Sequence, residues 1–284
     1  MTKLNTKLES DGFIWRRLRD IVLVIGFFLI LSPLYLVVVN SFKSLEEAGR
    51  DFFAPPTRLF LENFQKLFAS QNYLGYVRNS AFITILALVI ETILVPTASY
   101  AIARNFKKPY YKFVYYFLLM GLFIPSQVVI LPVTIFMTSL KMLNQTGLVI
   151  LYATYCLTRG IFLYVNYIKT LPFELEEAAR VDGCNVLKTY IHVILPLTGP
   201  MMATLIVMDA LWYWNDFLLP LMILNRSRIF WTLPLFQYNF KTEYSFNYTM
   251  SFTAYLMSML PILIVYIIGQ KNIIKGLTAG AIKG

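Results

Sequence analysis

Four charged residues, Glu91, Arg159, Asp209 and Asp216, fall within or near the ends of long apolar stretches. A charge at the centre of a bilayer costs roughly 2.5–3.5 kcal/mol on insertion scales, so each of these side chains must face a bundle interior or a water path. On a continuous helix Asp209 and Asp216, seven residues apart, share one face, with Trp212 close to it. Asn215 adjoins Asp216, and Trp212, Tyr213 and Trp214 surround them. Aromatic rings beside carboxylates and amides suit a polyhydroxylated ligand, which offers apolar ring faces and many hydroxyls. The same residues equally suit a structural role, since tryptophans near a span end form interfacial belts and a lone carboxylate serves as a hydrogen-bond acceptor. Glu91 reads either as a path residue or as the partner of Arg159, and Arg159 has the alternative of snorkelling to the surface. The candidate path residues are therefore Glu91, Trp212, Trp214, Asn215 and Asp216.

A second chemistry-bearing stretch, Glu177 to Pro200, is a charged island between two apolar runs. Pro172 and the acidic run Glu174, Glu176 and Glu177 suit the first turn of a short helix, whose free N–H groups and dipole favour carboxylates. Gly183 stands where such a helix ends, because glycine takes a positive φ without a Cβ clash. Asn185 is placed to cap a second short helix, which Pro196 and Pro200 stop or kink. His192, the one histidine, lies in that second helix and reads as a packing or surface residue.

The elements that must position these groups follow from composition. The chain has 284 residues, 58% hydrophobic and 14% charged, with a mean hydropathy of +0.62. Apolar runs near twenty residues long span the roughly 30 Å hydrocarbon core as helices. The expectation is an all-α polytopic membrane protein forming a single transmembrane domain over residues 1–284. Its six spans are expected near 18–40, 77–103, 113–137, 147–168, 200–224 and 250–270. The first run lacks a small-residue cleavage site and reads as a retained signal anchor. Pro125 and Pro132 break the third span, which is expected to face inward, since a broken helix is tolerated against protein or along a cavity.

The net charge of +10 is spread through short loops beside apolar spans, a topological pattern rather than a nucleic-acid footprint. Fifteen Lys and Arg residues fall on the side holding both termini and the Glu177 segment, against nine on the other. The bias puts the termini and the segment 170–199 in the cytoplasm and the loop 41–76 outside. That loop includes LFLENFQKLFAS, whose Leu59, Phe60, Phe64, Leu67 and Phe68 recur at helical spacing and predict an amphipathic helix at the interface. Cys156 and Cys184 are expected to form no disulfide, and one histidine supports no metal cluster. No phosphate loop of the Gly-x-x-x-x-Gly-Lys-Ser/Thr type, serine elbow or His-Glu-x-x-His motif occurs, so no catalytic residue is assigned and no enzyme activity is expected.

Glu177-Ala178-Ala179, Gly183 and Val193-Ile194-Leu195-Pro196 together resemble the EAA signature of ABC importer permeases, with Val193 where isoleucine is usual. Leu171-Pro172, Asp182-Gly183, Trp214-Asn215-Asp216-Phe217 and the tail Gly276 to Gly284 are similar to the carbohydrate branch, in particular to maltose-type second permease subunits. The resemblance covers nearly the whole chain.

It implies the ABC type I importer permease fold and a sugar or oligosaccharide importer driven by ATP, in a bacterial or archaeal plasma membrane. The implied partners are a second permease subunit, two cytoplasmic ATPase subunits and an external sugar-binding protein, besides membrane lipid. ATP would be bound by the ATPases, and this chain would hold no cofactor. Glu174, Glu177, Ala178, Ala179, Asp182 and Gly183 would couple to an ATPase groove. The cytoplasmic tail 271–284, with Gly276, Thr278, Gly280 and Lys283, would lie along the ATPase dimer as extended backbone. The alternatives are import of a phosphorylated polyol such as glycerol phosphate, which calls for a basic cluster in the path, or an ion channel. A polyol phosphate path has only Arg159 to use among the spans.

Overall fold

The computed structural model describes residues 2–69, 72–238 and 247–281, with side chains from 15 to 270. The chain divides into two compact units, one of residues 1–70 and 240–257, the other of residues 71–239 and 258–284.

In the first unit, α1 (Thr2–Ser41) is apolar and exposed along most of its described length, as a lipid-facing helix is. The loop after it is built rather than slack. Ser44 caps α2 (Leu45–Arg50) by accepting from the Glu47 backbone N–H. The Glu47 carboxylate accepts from both the N–H and the hydroxyl of Thr57, at 2.7 Å each, and these bonds hold its pKa below the usual value. Lys43 is wholly buried and donates through Nζ to the Asp51 carbonyl. The amphipathic stretch forms α3 (Glu62–Ala69), with Leu67 buried and Asn63 donating to the carbonyls of Ser41 and Lys43. The early turns of the final helix (Tyr248–Ala281) belong to this unit, where Phe52 packs against Tyr248 and Phe252.

The second unit begins with α4 (Tyr73–Arg104), which packs along α7 (Gln145–Thr170), the two being its longest internal helices. At their contact Gly160 lies against Val95, and a Cβ at Gly160 would stand 2.9 Å from a Val95 methyl. Without a hydrophobic force between spans in lipid, such close backbone approach supplies the dispersion that joins them. Between them in sequence lie α5 (Pro109–Met120), a short 3₁₀ turn, and α6 (Ser126–Ser139), bent by 106° about Ile124-Pro125. The expected third span is thus two helices. The break at Ile124-Pro125 lines a hollow of about 380 Å³ with Tyr155, Arg159 and Trp212, whereas Phe123, Val128, Leu131, Ile135 and Phe136 are exposed on this chain and of α6 only Met137 is buried. The prolines break the helix, but the apolar surface on both arms is left for lipid or another chain to cover.

After α7 come α8 (Glu174–Val181) and α9 (Val186–Leu197), the latter with a π turn at Tyr190–Ile194. A 67° bend at Thr198 leads into α10 (Gly199–Asn215). Tyr164 donates to the Thr198 hydroxyl at 2.7 Å, and that hydroxyl donates to the Ile194 carbonyl, so the bend is pinned by buried polar contacts. The run expected as one span over 200–224 is interrupted at Asp216-Phe217 before α11 (Leu218–Leu224), and α12 (Leu233–Tyr238) follows. The last helix, α13 (Tyr248–Ala281), completes the unit from Ser258 onward.

Among the described residues four helices are long and apolar enough to cross a membrane, and counting each of the two bent pairs as one span brings the number to the expected six. Both cysteines are free.

Candidate functional site: an acidic docking helix and a polar cleft

The short charged segment takes the helix–bend–helix form that its punctuation predicts. Phe173 starts α8, Gly183 has φ +81°, and the Asn185 side chain accepts from the Lys188 N–H at 2.9 Å. Two faces of α8 differ. Glu174, Glu177, Ala178, Asp182 and Gly183 are exposed, whereas Glu176 and Ala179 are buried within the chain. Ala179 is therefore not available for close approach by a partner, because the three-residue spacing puts it on the inner face with Glu176.

Glu176, expected only as a first-turn carboxylate, anchors the segment. One oxygen accepts from the Tyr100 hydroxyl at 2.9 Å, and the other accepts from Arg104 Nε at the end of α4. The Tyr100 ring stacks on Tyr190 of α9 at 5.2 Å. Phe173 lies between two guanidiniums, Arg104 at 5.6 Å and Arg180 at 5.4 Å from its ring centre. Helical spacing alone groups Phe173, Glu176 and Ala179 on one face and would have flagged Glu176, but the first-turn reading explained the acidic run sufficiently without it.

In the membrane-embedded part, the structure pairs Arg159 with Asp209 rather than with Glu91, and Asp209 is wholly buried. Glu91 is enclosed and accepts from the Tyr213 hydroxyl at 3.2 Å. Tyr213 stacks on Tyr152 at 4.7 Å, and the Tyr152 hydroxyl donates to Asp216 at 2.9 Å. Asp216 does not share a helix face with Asp209, since it lies past the last turn of α10 in extended conformation. It instead accepts from the Leu218 N–H at the start of α11. Trp214 is also buried, its indole N–H donating to the Ser258 carbonyl at 3.1 Å.

Of the five path candidates, Trp212, Asn215 and Asp216 line a common hollow of about 560 Å³ with Arg159 and Met208. Glu91 and Trp214, both buried, do not line it. The Arg159 guanidinium stands 5.9 Å from the Trp212 ring, and Tyr152 meets that ring edge-on at 5.5 Å. A flat aromatic face beside an ion pair and an amide can stack a ring and hydrogen-bond hydroxyls.

The tail differs from expectation in conformation. The helix continues to Ala281, so Gly276, Thr278 and Gly280 are helical rather than extended, while Lys283 and Gly284 lie outside the described residues. A helix satisfies its own backbone groups, which an extended tail without a partner strand cannot do.

A family model described as the binding-protein-dependent transport system inner membrane component matches residues 95–278. The chain belongs to this family. Among its relatives, the permease protein MsmG of a multiple sugar-binding transport system in Streptococcus mutans is 42% identical over 279 residues, covering 98% of this chain and 99% of its own. The AmyC permease of a probable starch degradation products transport system in Thermoanaerobacterium thermosulfurigenes is 33% identical, covering 89% of this chain and 92% of its own. A crystal structure of a bacterial ABC transporter involved in alginate import contains a chain with the same fold, at a TM-score of 0.78 and 23% identity over 91% of this permease and 96% of that chain. The permease is accordingly a multi-pass inner-membrane component of an ABC transporter, a family whose members act with a partner permease, an ATPase and a binding protein.

Proposed function

We propose that this permease forms half of the translocation path of an ATP-driven importer of sugars or oligosaccharides, paired with a second permease, two cytoplasmic ATPases and an external sugar-binding protein. The observation that carries the reading is the two-faced α8. Its outer face offers Glu174, Glu177, Ala178, Asp182 and Gly183, while Glu176 ties its inner face to α4. A push on α8 by a closing ATPase pair thereby reaches α4 as a rigid-body displacement. Residues 170–199 and both termini then lie in the cytoplasm, with the tail residues Gly276, Thr278, Gly280 and Lys283 near the ATPases. ATP is held by those ATPases and the permease itself is not an enzyme.

The cargo reading draws on the sugar-transport relatives and on the Trp212 hollow. Because Asp209 neutralises Arg159, a phosphorylated cargo would find no free cation there.

The test is ATP hydrolysis in proteoliposomes holding the complete transporter, with the binding protein and either maltotriose, arabinotriose or glycerol 3-phosphate. Stimulation by a sugar, and no hydrolysis by the permease alone, is the expected result. Stimulation by glycerol 3-phosphate only, or ATP turnover without the ATPases, would overturn the reading.

A further inference from the structure

Arg104 ends α4, the turn into α5 carries Lys107 and Lys108, and Lys112 follows one helical turn later. No Asp or Glu occurs between Glu91 and Glu174, so these cations have no carboxylate near them in sequence. Among the described residues only Arg104 meets one, using Nε on Glu176, and its Nη2 is buried without a hydrogen-bond partner. Arg104, Lys107 and Lys108 line a hollow of about 630 Å³ whose aromatic walls are Phe106 and Phe173. Lys169, arriving from α7, stands 3.2 Å from the centre of the Phe106 ring and fixes that wall. A hollow with this lining attracts an anion with several acceptor oxygens.

We propose that this hollow binds the headgroup phosphate of an anionic phospholipid. The choice of a lipid over a free phosphate rests on what adjoins it. Tyr110, Phe113 and Phe117 recur at helical spacing along α5, all more than half exposed, and Phe113 stacks on Phe117. They form an apolar rail running from the basic turn into the membrane, where an acyl chain can lie while its phosphate meets the cations. Basic pockets beside transmembrane helices recognise lipid headgroups in this manner, with each cation near the surface contributing about 1 kcal/mol. Two of the residues lining the hollow, Arg104 and Phe173, also hold α8, so the bound phosphate sits against the docking segment.

The test is native mass spectrometry of the complete detergent-purified transporter, titrated with dioleoylphosphatidylglycerol or with dioleoylphosphatidylcholine. Phosphatidylglycerol should be retained in preference, and Lys107→Gln with Lys108→Gln should weaken its retention about thirtyfold. Replacement of both lysines by arginine should preserve it. Equal phosphatidylglycerol retention by wild type and the glutamine variant overturns the proposal. Displacement of the lipid by inorganic phosphate would overturn the lipid assignment in favour of a free-anion site. Where the glutamine pair does not assemble, Lys108→Gln alone should weaken retention about fivefold, and unchanged retention in that variant also overturns it.

Discussion

Arg104 at the end of α4 and Glu176 in α8 form a buried ion pair, 72 residues apart in sequence, with the Tyr100 hydroxyl donating to the same carboxylate. The pair makes α8 part of the long α4–α7 unit rather than a loosely hung loop. In the proposed function the pair serves transmission, since the exposed face of α8 can move only if the inner face takes α4 along.

Glu176→Ala should therefore separate ATP hydrolysis from uptake. It leaves Arg104 buried and unpaired, a loss of about 3–5 kcal/mol for buried pairs, placed at the low end because Arg104 keeps 15% of its side chain exposed. Uptake per ATP hydrolysed in proteoliposomes checks this. The reversed pair, Arg104→Glu with Glu176→Arg, should recover part of the loss, which a general folding defect would not.

On α8, Glu177→Lys and Ala178→Asp should each abolish uptake while the permease still inserts, because both positions are exposed. Ala179→Asp should act differently, lowering the amount of folded permease by burying an unpaired charge. Detergent-resistant assembly and uptake, measured together, separate the two classes. Normal uptake with Glu177→Lys would remove Glu177 from the docking face.

Gly160→Ala should destabilise the α4–α7 contact by about 1–3 kcal/mol, since its methyl would meet a Val95 methyl at 2.9 Å and Val95 is β-branched and fully buried, with little room to turn aside. Val95→Ala in the same chain should restore most of that loss. Thermal melting of the purified complex reads both, and an additive double variant would show that the two sites are uncoupled.

Removing one member of the intramembrane pair should be worse than removing both. Asp209→Asn or Arg159→Gln strands a charge in the bundle, whereas the double variant strands none. Yields of inserted permease should rank accordingly. If the yields match but uptake falls only when Arg159 is changed, the pair serves the cargo rather than the fold.

Much of the architecture was legible in advance, and the limits of that reading fall on particular residues. Periodicity placed Phe64, Leu67 and Phe68 on the same short helix, and Asn185 and Gly183 announced their cap and bend. The exposed face of α8 was legible because the helix is charged on one side and short. In the long spans both faces are apolar, so spacing carries little information about which side meets protein. Trp214 accordingly carries no local sign that its indole turns to the Ser258 carbonyl rather than to the hollow.

The sequence alone determined the class of molecule: runs of apolar residues can satisfy their backbone in lipid only as helices. Only the tertiary structure decided the partners of the buried charges. Glu91, Asp209 and Asp216 share a region of sequence chemistry, yet they meet Tyr213, Arg159 and Tyr152 respectively. Those choices depend on how α4, α7 and α10 approach one another, and on the break at Asp216-Phe217, where the carboxylate leaves one helix to cap the next. A carboxylate in an apolar bundle must find some partner; which one is set by the packing of spans that no local pattern encodes.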